Sequence, residues 1–437
     1  MAVTERPRGT GQTRSTARPV PAQRLPLVPE AVADWVASRT TAFGTPAGSY
    51  YVLIGATLAL TVFGLVMVLS SSSVNAMDAS GSPFSVFVRQ VLFALVGLPL
   101  MWLLSRVPVR VLRRFAWPAL LAGLATQLLV FTPLGHEVNG NLNWIRIGGF
   151  NAQPSEAVKL ALVLWVAGVL ATKGRLVQQW QHALMPVGLG GGVALALVLL
   201  GHDVGTAAVI MLVLGAMLFV AGAPLRLFVV GGLGAFAAAV PLVLSSASRS
   251  SRVTAWLSGE CEDYAGVCFQ AIHGKYALAS GGITGLGLGA SREKWSYLPE
   301  EDNDFIFAII GEELGLIGTF LLLAFFAAIA LAMLRIIRRH NDPFVKIATA
   351  GILAWIVGQA IVNIAVVVGV LPVLGIPLPL VSRGGSALVA CLAALGVVLG
   401  FARQEPGAAD VLSTRPTMLS RLAVLGTGGP RRSRRRP

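Results

Sequence analysis

The chain has 437 residues, of which 55% are hydrophobic and only 12% charged, with a mean hydropathy of +0.74. That composition excludes a soluble globular domain and indicates an all-α polytopic membrane protein. The formal net charge of +14, from 34 basic and 20 acidic residues, sits largely in the tails and certain short loops, so it reads as topology and contact with membrane lipids rather than nucleic-acid binding.

Residues 1–47, rich in Pro, Arg, Thr and Ala, read as a disordered basic cytoplasmic tail, with a short amphipathic turn possible over Glu30 to Phe43. No apolar signal region precedes residue 50, so the first span serves as the targeting signal. Apolar runs at 51–72, 86–106, 113–133, 155–172, 184–200, 204–222, 226–246, 304–334, 344–371 and 384–402 predict about ten membrane helices. They make residues 48–403 a membrane domain, and 404–437 a second disordered basic tail ending in RRSRRRP. Basic residues mark every second loop: Arg106, Arg110, Arg113 and Arg114, then Lys173 and Arg175, then Arg226, then Arg335, Arg338 and Arg339. With an even number of spans, those loops and both termini fall on the cytoplasmic side. The largest loop, 247–303, then lies outside, between the seventh and eighth spans. On the same side are the polar starts Gln153-Pro154-Ser155-Glu156, His202-Asp203-Val204-Gly205-Thr206, Asp304, and Ser382-Arg383-Gly384-Gly385-Ser386. These features converge on an outward-facing site.

The stretch Gly281 to Gly318 dominates that side. It carries Glu300, Glu301, Asp302 and Asp304 and runs into an apolar helix. Carboxylates at a membrane boundary are costly, which makes them functional candidates. Asp304, at the start of the span, suits a general base of raised pKa. Glu301 and Asp302 read as a solvated loop face. Glu312 projects near the angle of Asp304 and Glu313 to the opposite side, and hydrogen bonding between helices explains both as well as chemistry does. Glu156 and Lys159, three apart, share a helix face. They form either a structural ion pair or, with Arg146, a holder for an anionic group such as a lipid phosphate. The glycines of GLGLG at 285–289 follow no strand and precede no Lys-Ser/Thr, so they read as a turn and not as a nucleotide cradle. Pro372, Gly375, Pro377 and Pro379 break the chain before the last span, where non-helical backbone must be covered by protein or water. Gln359 and Asn363 read as ties between helices. The five histidines are scattered, so a divalent ion would need carboxylates plus substrate phosphate. Cys391 reads as a buried small side chain, whereas Cys261 and Cys268 share one loop and are either free or bridged.

Four blocks now combine: NWIRIGGFNAQPSEAVKLA (143–161), DVGTA (203–207), GLGASREKWSYLPEEDNDFIFAIIGEELGLIG (287–318) and GQAIVNIAVVVGVLPVLGIPLPLVSRGGSALV (358–389). Over residues 50–403 the chain resembles the SEDS family of bacterial peptidoglycan polymerases, the cell-division members most and the elongation members next. The resemblance implies a ten-helix SEDS-like fold with its large outer loop between helices seven and eight. It implies a glycosyltransferase that joins lipid II into glycan strands and releases undecaprenyl pyrophosphate. It also implies a multi-pass place in the cytoplasmic membrane at the division septum, beside a class B penicillin-binding protein and other division proteins. It assigns Asp304 as the catalytic residue, and Arg146, Gln153, Glu156, Lys159, Lys294 and Glu300 to substrate binding. No cofactor is firmly implied; a divalent cation, Mg²⁺ or Mn²⁺, is the candidate. The chain departs from the family pattern at His202 (commonly Pro), at Asp302 and Asn303 (usually His-Thr), at Arg383 (usually Tyr) and at Leu371 to Gly375. A lipid II flippase or transporter and a non-enzymatic scaffold are the competing readings.

Overall fold

The structure, a computed structural model, describes residues 45–138, 140–148, 150–244, 246–258, 266, 268–295 and 297–414. The Glu30 to Phe43 segment, Cys261 and the chain after 414 lie outside the described residues.

Ten helices among the described residues are long and apolar enough to cross a membrane. They are α1 (Gly48–Ser80), α2 (Ser85–Leu104), α3 (Val109–Leu128), α4 (Pro154–Lys173), α5 (Trp180–Leu200), α6 (Val204–Ala221), α7 (Leu225–Leu244), α10 (Ile306–Arg339), α11 (Pro343–Val367) and α12 (Gly385–Ala402). Two further helices, α8 (Ala247–Ser258) and α9 (Phe269–Gly281), occupy the large loop. A short α13 (Ala408–Thr414) lies in the segment expected to be a disordered tail. Helix starts follow local chemistry. Pro154 and Pro343 sit where a missing N–H costs nothing. Asp203 and Asp342 cap α6 and α11 by accepting from the amides of Thr206 and Phe344, each at 2.9 Å.

Helix α4 is central and packs on α3, α6 and α11; α1 packs on α2 and α10, and α12 on α2. Small residues allow the closest approaches, as between lipid-embedded helices generally. A Cβ at Gly64 would meet the Val381 Cα at 2.7 Å, and one at Gly396 the Met101 Cα at 2.8 Å.

Two features differ from the expected plan. The link between α3 and α4 is an antiparallel sheet of β1 (Gly135–Val138), β2 (Asn141–Ile147) and β3 (Phe150–Ala152), in the order β1-β2-β3. Val138 pairs with Asn141, and Arg146 pairs with Asn151.

The second is a break in α10. Gly315 has φ +64° and ψ −159°, a conformation only glycine reaches without strain. The break leaves backbone groups unpaired, which hydrocarbon does not tolerate. The segment after α9 pairs them. Leu286 and Gly287 amides donate to the Glu312 and Glu313 carbonyls, both at 2.9 Å. In return, the Leu316 and Ile317 amides donate to the Gly282 and Ile283 carbonyls at 3.0 and 3.2 Å. The glycine run thus re-enters the bundle and completes a broken helix. Gly281 packs directly on the Gly311 carbonyl, where any side chain would collide.

Candidate active site

A cavity of about 960 Å³ opens at the end of the bundle where α4, α6 and α12 begin. The 299–304 turn and the irregular 372–377 segment cross it. Asp304 lies in its wall. It precedes α10 rather than starting it, because Phe305 occupies the cap position.

Three consecutive carbonyls fix the backbone there. That of Asp302 accepts from the Arg383 amide at 2.8 Å, that of Asn303 from Ser382 Oγ at 2.6 Å, and that of Asp304 from Asn363 Nδ2 at 2.7 Å. The donors are themselves tied down: Asn363 Nδ2 also donates to the Ile376 carbonyl at 2.7 Å, and Ser382 Oγ accepts from the Leu378 amide at 2.8 Å. The side chain contrasts with this backbone, since Asp304 Oδ1 is enclosed and has no hydrogen-bond partner. Burial, reinforced by the charges of Glu300 and Asp203, raises the Asp304 pKa to about 7, with Arg252 and Arg383 opposing. A carboxylate poised there can take or give a proton near neutrality.

Asp203, at the start of α6, organises the neighbouring wall. Its Oδ2 accepts from Asn143 Nδ2 at 2.8 Å, Gln153 Nε2 at 3.0 Å and Thr206 Oγ1 at 2.8 Å. Gln153 therefore faces the cavity with its amide engaged. Glu156 and Lys159 form a buried ion pair at 2.8 Å lining the same cavity. Lys159 Nζ also lies 3.4 Å from Gln359 Oε1 and 4.7 Å from the centre of the Trp355 ring. Glu300 lines the cavity in a left-handed conformation, φ +58°, and accepts from Asn303 Nδ2 at 3.2 Å.

Two expected ligands lie elsewhere. Arg146 is exposed on β2, where Nε donates to Asn151 Oδ1 at 3.2 Å and Nη2 lies 3.0 Å from His136 Nε2. Lys294 is buried beneath the glycine run. It donates to the Gly289 carbonyl at 2.6 Å and pairs with Glu313 at 3.3 Å. The same pocket holds both helix glutamates: Glu312 accepts from Ser291 Oγ and Glu313 from Ser70 Oγ, each at 2.5 Å. Helical angles measured from Asp304 mislead here because Asp304 is outside the helix.

The solvated face expected for Glu301 and Asp302 is also corrected. They are 4% and 2% exposed, because α1 continues past the apolar run and brings Asn75 against Glu301, while Arg383 covers Asp302 at 2.9 Å. Burial and the neighbouring Asp302 charge raise the Glu301 pKa to about 7. Burial also raises that of Asp302, against the pull of Arg383.

Sequence reasoning missed most of the cavity's positive charge. Arg89 from α2, Arg249 and Arg252 from α8, and Arg383 all line it. Arg89 carried a signal, an arginine within an apolar run. Arg249 and Arg252 are three apart in an amphipathic segment, a weaker one. Among the described residues, no group of three His, Cys, Asp or Glu side chains could hold a metal ion. Cys391 is free and buried, and Cys268 is disulfide-bonded.

A family model for FtsW, RodA and SpoVE, described as cell cycle protein, matches residues 51–406. The chain belongs to the FtsW/RodA/SpoVE family. A similar relative is the probable peptidoglycan glycosyltransferase FtsW of Mycobacterium tuberculosis, 40% identical over 93% of this chain and 79% of the relative. Among solved structures, a chain of a peptidoglycan synthase complex, studied for the coordination of polymerization and crosslinking, aligns with TM-score 0.65 and 29% identity. That alignment covers 80% of this chain and 96% of the other. The rod shape determining protein RodA of Thermus thermophilus aligns with TM-score 0.60 and 26% identity, covering 81% and 96%. The FtsW/RodA/SpoVE membership and the ten spans meet the expected fold, a multi-pass membrane protein of SEDS type. Within that frame, Asp302 and Arg383 are bonded to each other.

Proposed function

We propose that this protein is a peptidoglycan glycosyltransferase that polymerises lipid II at the outer face of the cytoplasmic membrane for septal wall synthesis. The observation that carries this reading is Asp304, with its Oδ1 enclosed and without a hydrogen-bond partner, in the wall of a large cavity whose other walls supply cations. The 4-hydroxyl of the acceptor sugar attacks C1 of the donor and passes its proton to Asp304. The new C1–O bond forms as the bond from C1 to the lipid pyrophosphate breaks. Arg89, Arg249, Arg252 and Lys159 offset the charge developing on that leaving group. A divalent cation, if the reaction uses one, would find a carboxylate donor in Glu300, with substrate phosphate completing the shell and Asp304 left as the base.

The positive-inside rule supports an outward cavity, because Arg106, Arg110, Arg113 and Arg114 lie at the opposite end of the spans. The family's occurrence in a peptidoglycan synthase complex supports a partner transpeptidase, a class B penicillin-binding protein. The test is polymerisation of purified lipid II by the protein, with and without that partner, beside Asp304→Ala. Glycan strands from wild type and a loss of about 10²-fold or more in a folded Asp304→Ala are expected. Polymer from folded Asp304→Ala refutes the base, and lipid II flipping in vesicles without polymer refutes the polymerase.

A further inference from the structure

The Asp302 carboxylate is 3% exposed, whereas the Arg383 side chain that pairs with it is 45% exposed on the cavity wall. The pair is reinforced by the bond from the Arg383 amide to the Asp302 carbonyl, so side chain and backbone tie the same two residues. Asp302 stands two residues before Asp304, in the turn whose three carbonyls are held from outside. Its near neighbours Glu300 and Glu301 are acids too, so the turn concentrates negative charge where little water reaches it. Arginine suits this position because it stays charged at all accessible pH and can grip a carboxylate through a directed N–H.

The two partners are not equivalent. Removing the carboxylate leaves an arginine that water can solvate. Removing the arginine leaves a buried carboxylate without a counter-ion, the costlier of the two defects. Relief of that defect by movement of Asp302 toward the cavity would carry Asp304, two residues on, out of register. A displacement of about 1 Å at a reacting group is enough to lower turnover up to a hundredfold.

We propose that Arg383 is a positioning residue for Asp304, acting through the buried Asp302 carboxylate rather than by binding substrate. The role rests on Asp304 being the reactive carboxylate of a lipid II polymerase.

The test is a double-mutant cycle of Arg383→Ala, Asp302→Asn and the combination, in the full-length protein. It has two readouts: steady-state polymerisation, and hydrogen exchange of the 300–305 amides, which needs no activity. Arg383→Ala is expected to lower kcat by about ten- to a hundredfold with little change in KM, and to speed exchange across 300–305. Asp302→Asn costs less. The combination behaves within about threefold of Asp302→Asn alone, because the buried carboxylate that Arg383 pairs with is gone. If Arg383→Ala fails to fold while the combination folds, the same asymmetry is read in stability and supports the role. Additive losses, a loss confined to KM, unchanged exchange in Arg383→Ala, or failure of the combination to fold overturn it. A wild type that makes no polymer refutes the polymerase reading, and the exchange cycle still decides whether Arg383 orders the turn.

Discussion

Replacing Asp304 by Asn should stabilise the protein while abolishing its activity, by an amount that depends on pH. The Asp304 pKa is raised from 3.8 to about 7 in the folded chain. A group whose pKa rises on folding binds protons more tightly in the folded state. Wild-type stability therefore falls as pH climbs from about 4 to about 7, and is flat above. The shift of about three units, at 1.36 kcal/mol each, sets the full penalty at about 4 kcal/mol near pH 8. The same linkage leaves about 2 kcal/mol at pH 5.5 and under about 1 kcal/mol at pH 4. These are ceilings, because cavity water screens part of the charge. Asn keeps the shape and carries no charge, so its melting temperature in detergent should exceed that of wild type at pH 8, and the gap should close toward pH 4. Polymerisation should fall by about 10²–10⁴-fold above neutral pH, and the deficit should narrow toward acid as wild-type Asp304 itself becomes protonated. A gap that is constant with pH, or that widens toward acid, would show that the burial of Asp304 is not what raises its proton affinity.

Glu300→Gln removes a charge that raises the Asp304 pKa, leaving burial and Asp203 on that side of the balance and Arg252 and Arg383 on the other. The acid limb of kcat, normalised to its plateau, should move to lower pH; a move upward would contradict the assignment. Lys294→Met leaves Glu313 buried without its ammonium and should cost about 3–5 kcal/mol in stability, largely recovered by adding Glu313→Gln. Its KM for lipid II should stay near wild type, and a KM effect in the stabilised double variant would return Lys294 to the substrate site. Gly315→Ala forces a side chain into a left-handed conformation against the Ile283 and Gly285 backbone, and should destabilise by about 1–3 kcal/mol or more, read as a lower melting temperature.

The ten spans were legible because hydrocarbon imposes a length and a composition that few other contexts share. Asp304, Glu156, Lys159, Gln153 and Glu300 were legible as candidates because charge and amide groups at span ends stand out against apolar sequence. Asp302 was misread because local polarity says nothing about Arg383, which is 81 positions away and settles its burial. Lys294 was placed by its neighbours in sequence, whereas its partner Glu313 comes from a helix that the loop re-enters. The β-sheet announced itself weakly, through Asn-Gly at 139–140 and the alternation of NLNWIRI, a signal overshadowed by the helical runs on either side.

The interlock at Gly315 has a consequence for how such a chain is made and exchanged. With its break at Gly315, α10 needs partners from outside the helix for the Glu312 and Glu313 carbonyls and the Leu316 and Ile317 amides, whereas an unbroken α10 would pair these groups with one another. The residues that satisfy them, 282–287, were synthesised earlier and wait on the far side of the loop. The broken form of the helix is therefore completed only when the loop folds back, so opening the helix at Gly315 and docking the loop are coupled. Loop and helix are also a single heritable unit: a chimera that takes residues 247–303 from one relative and 306–339 from another must match them across this seam, or the span remains incomplete however well each half is conserved in length.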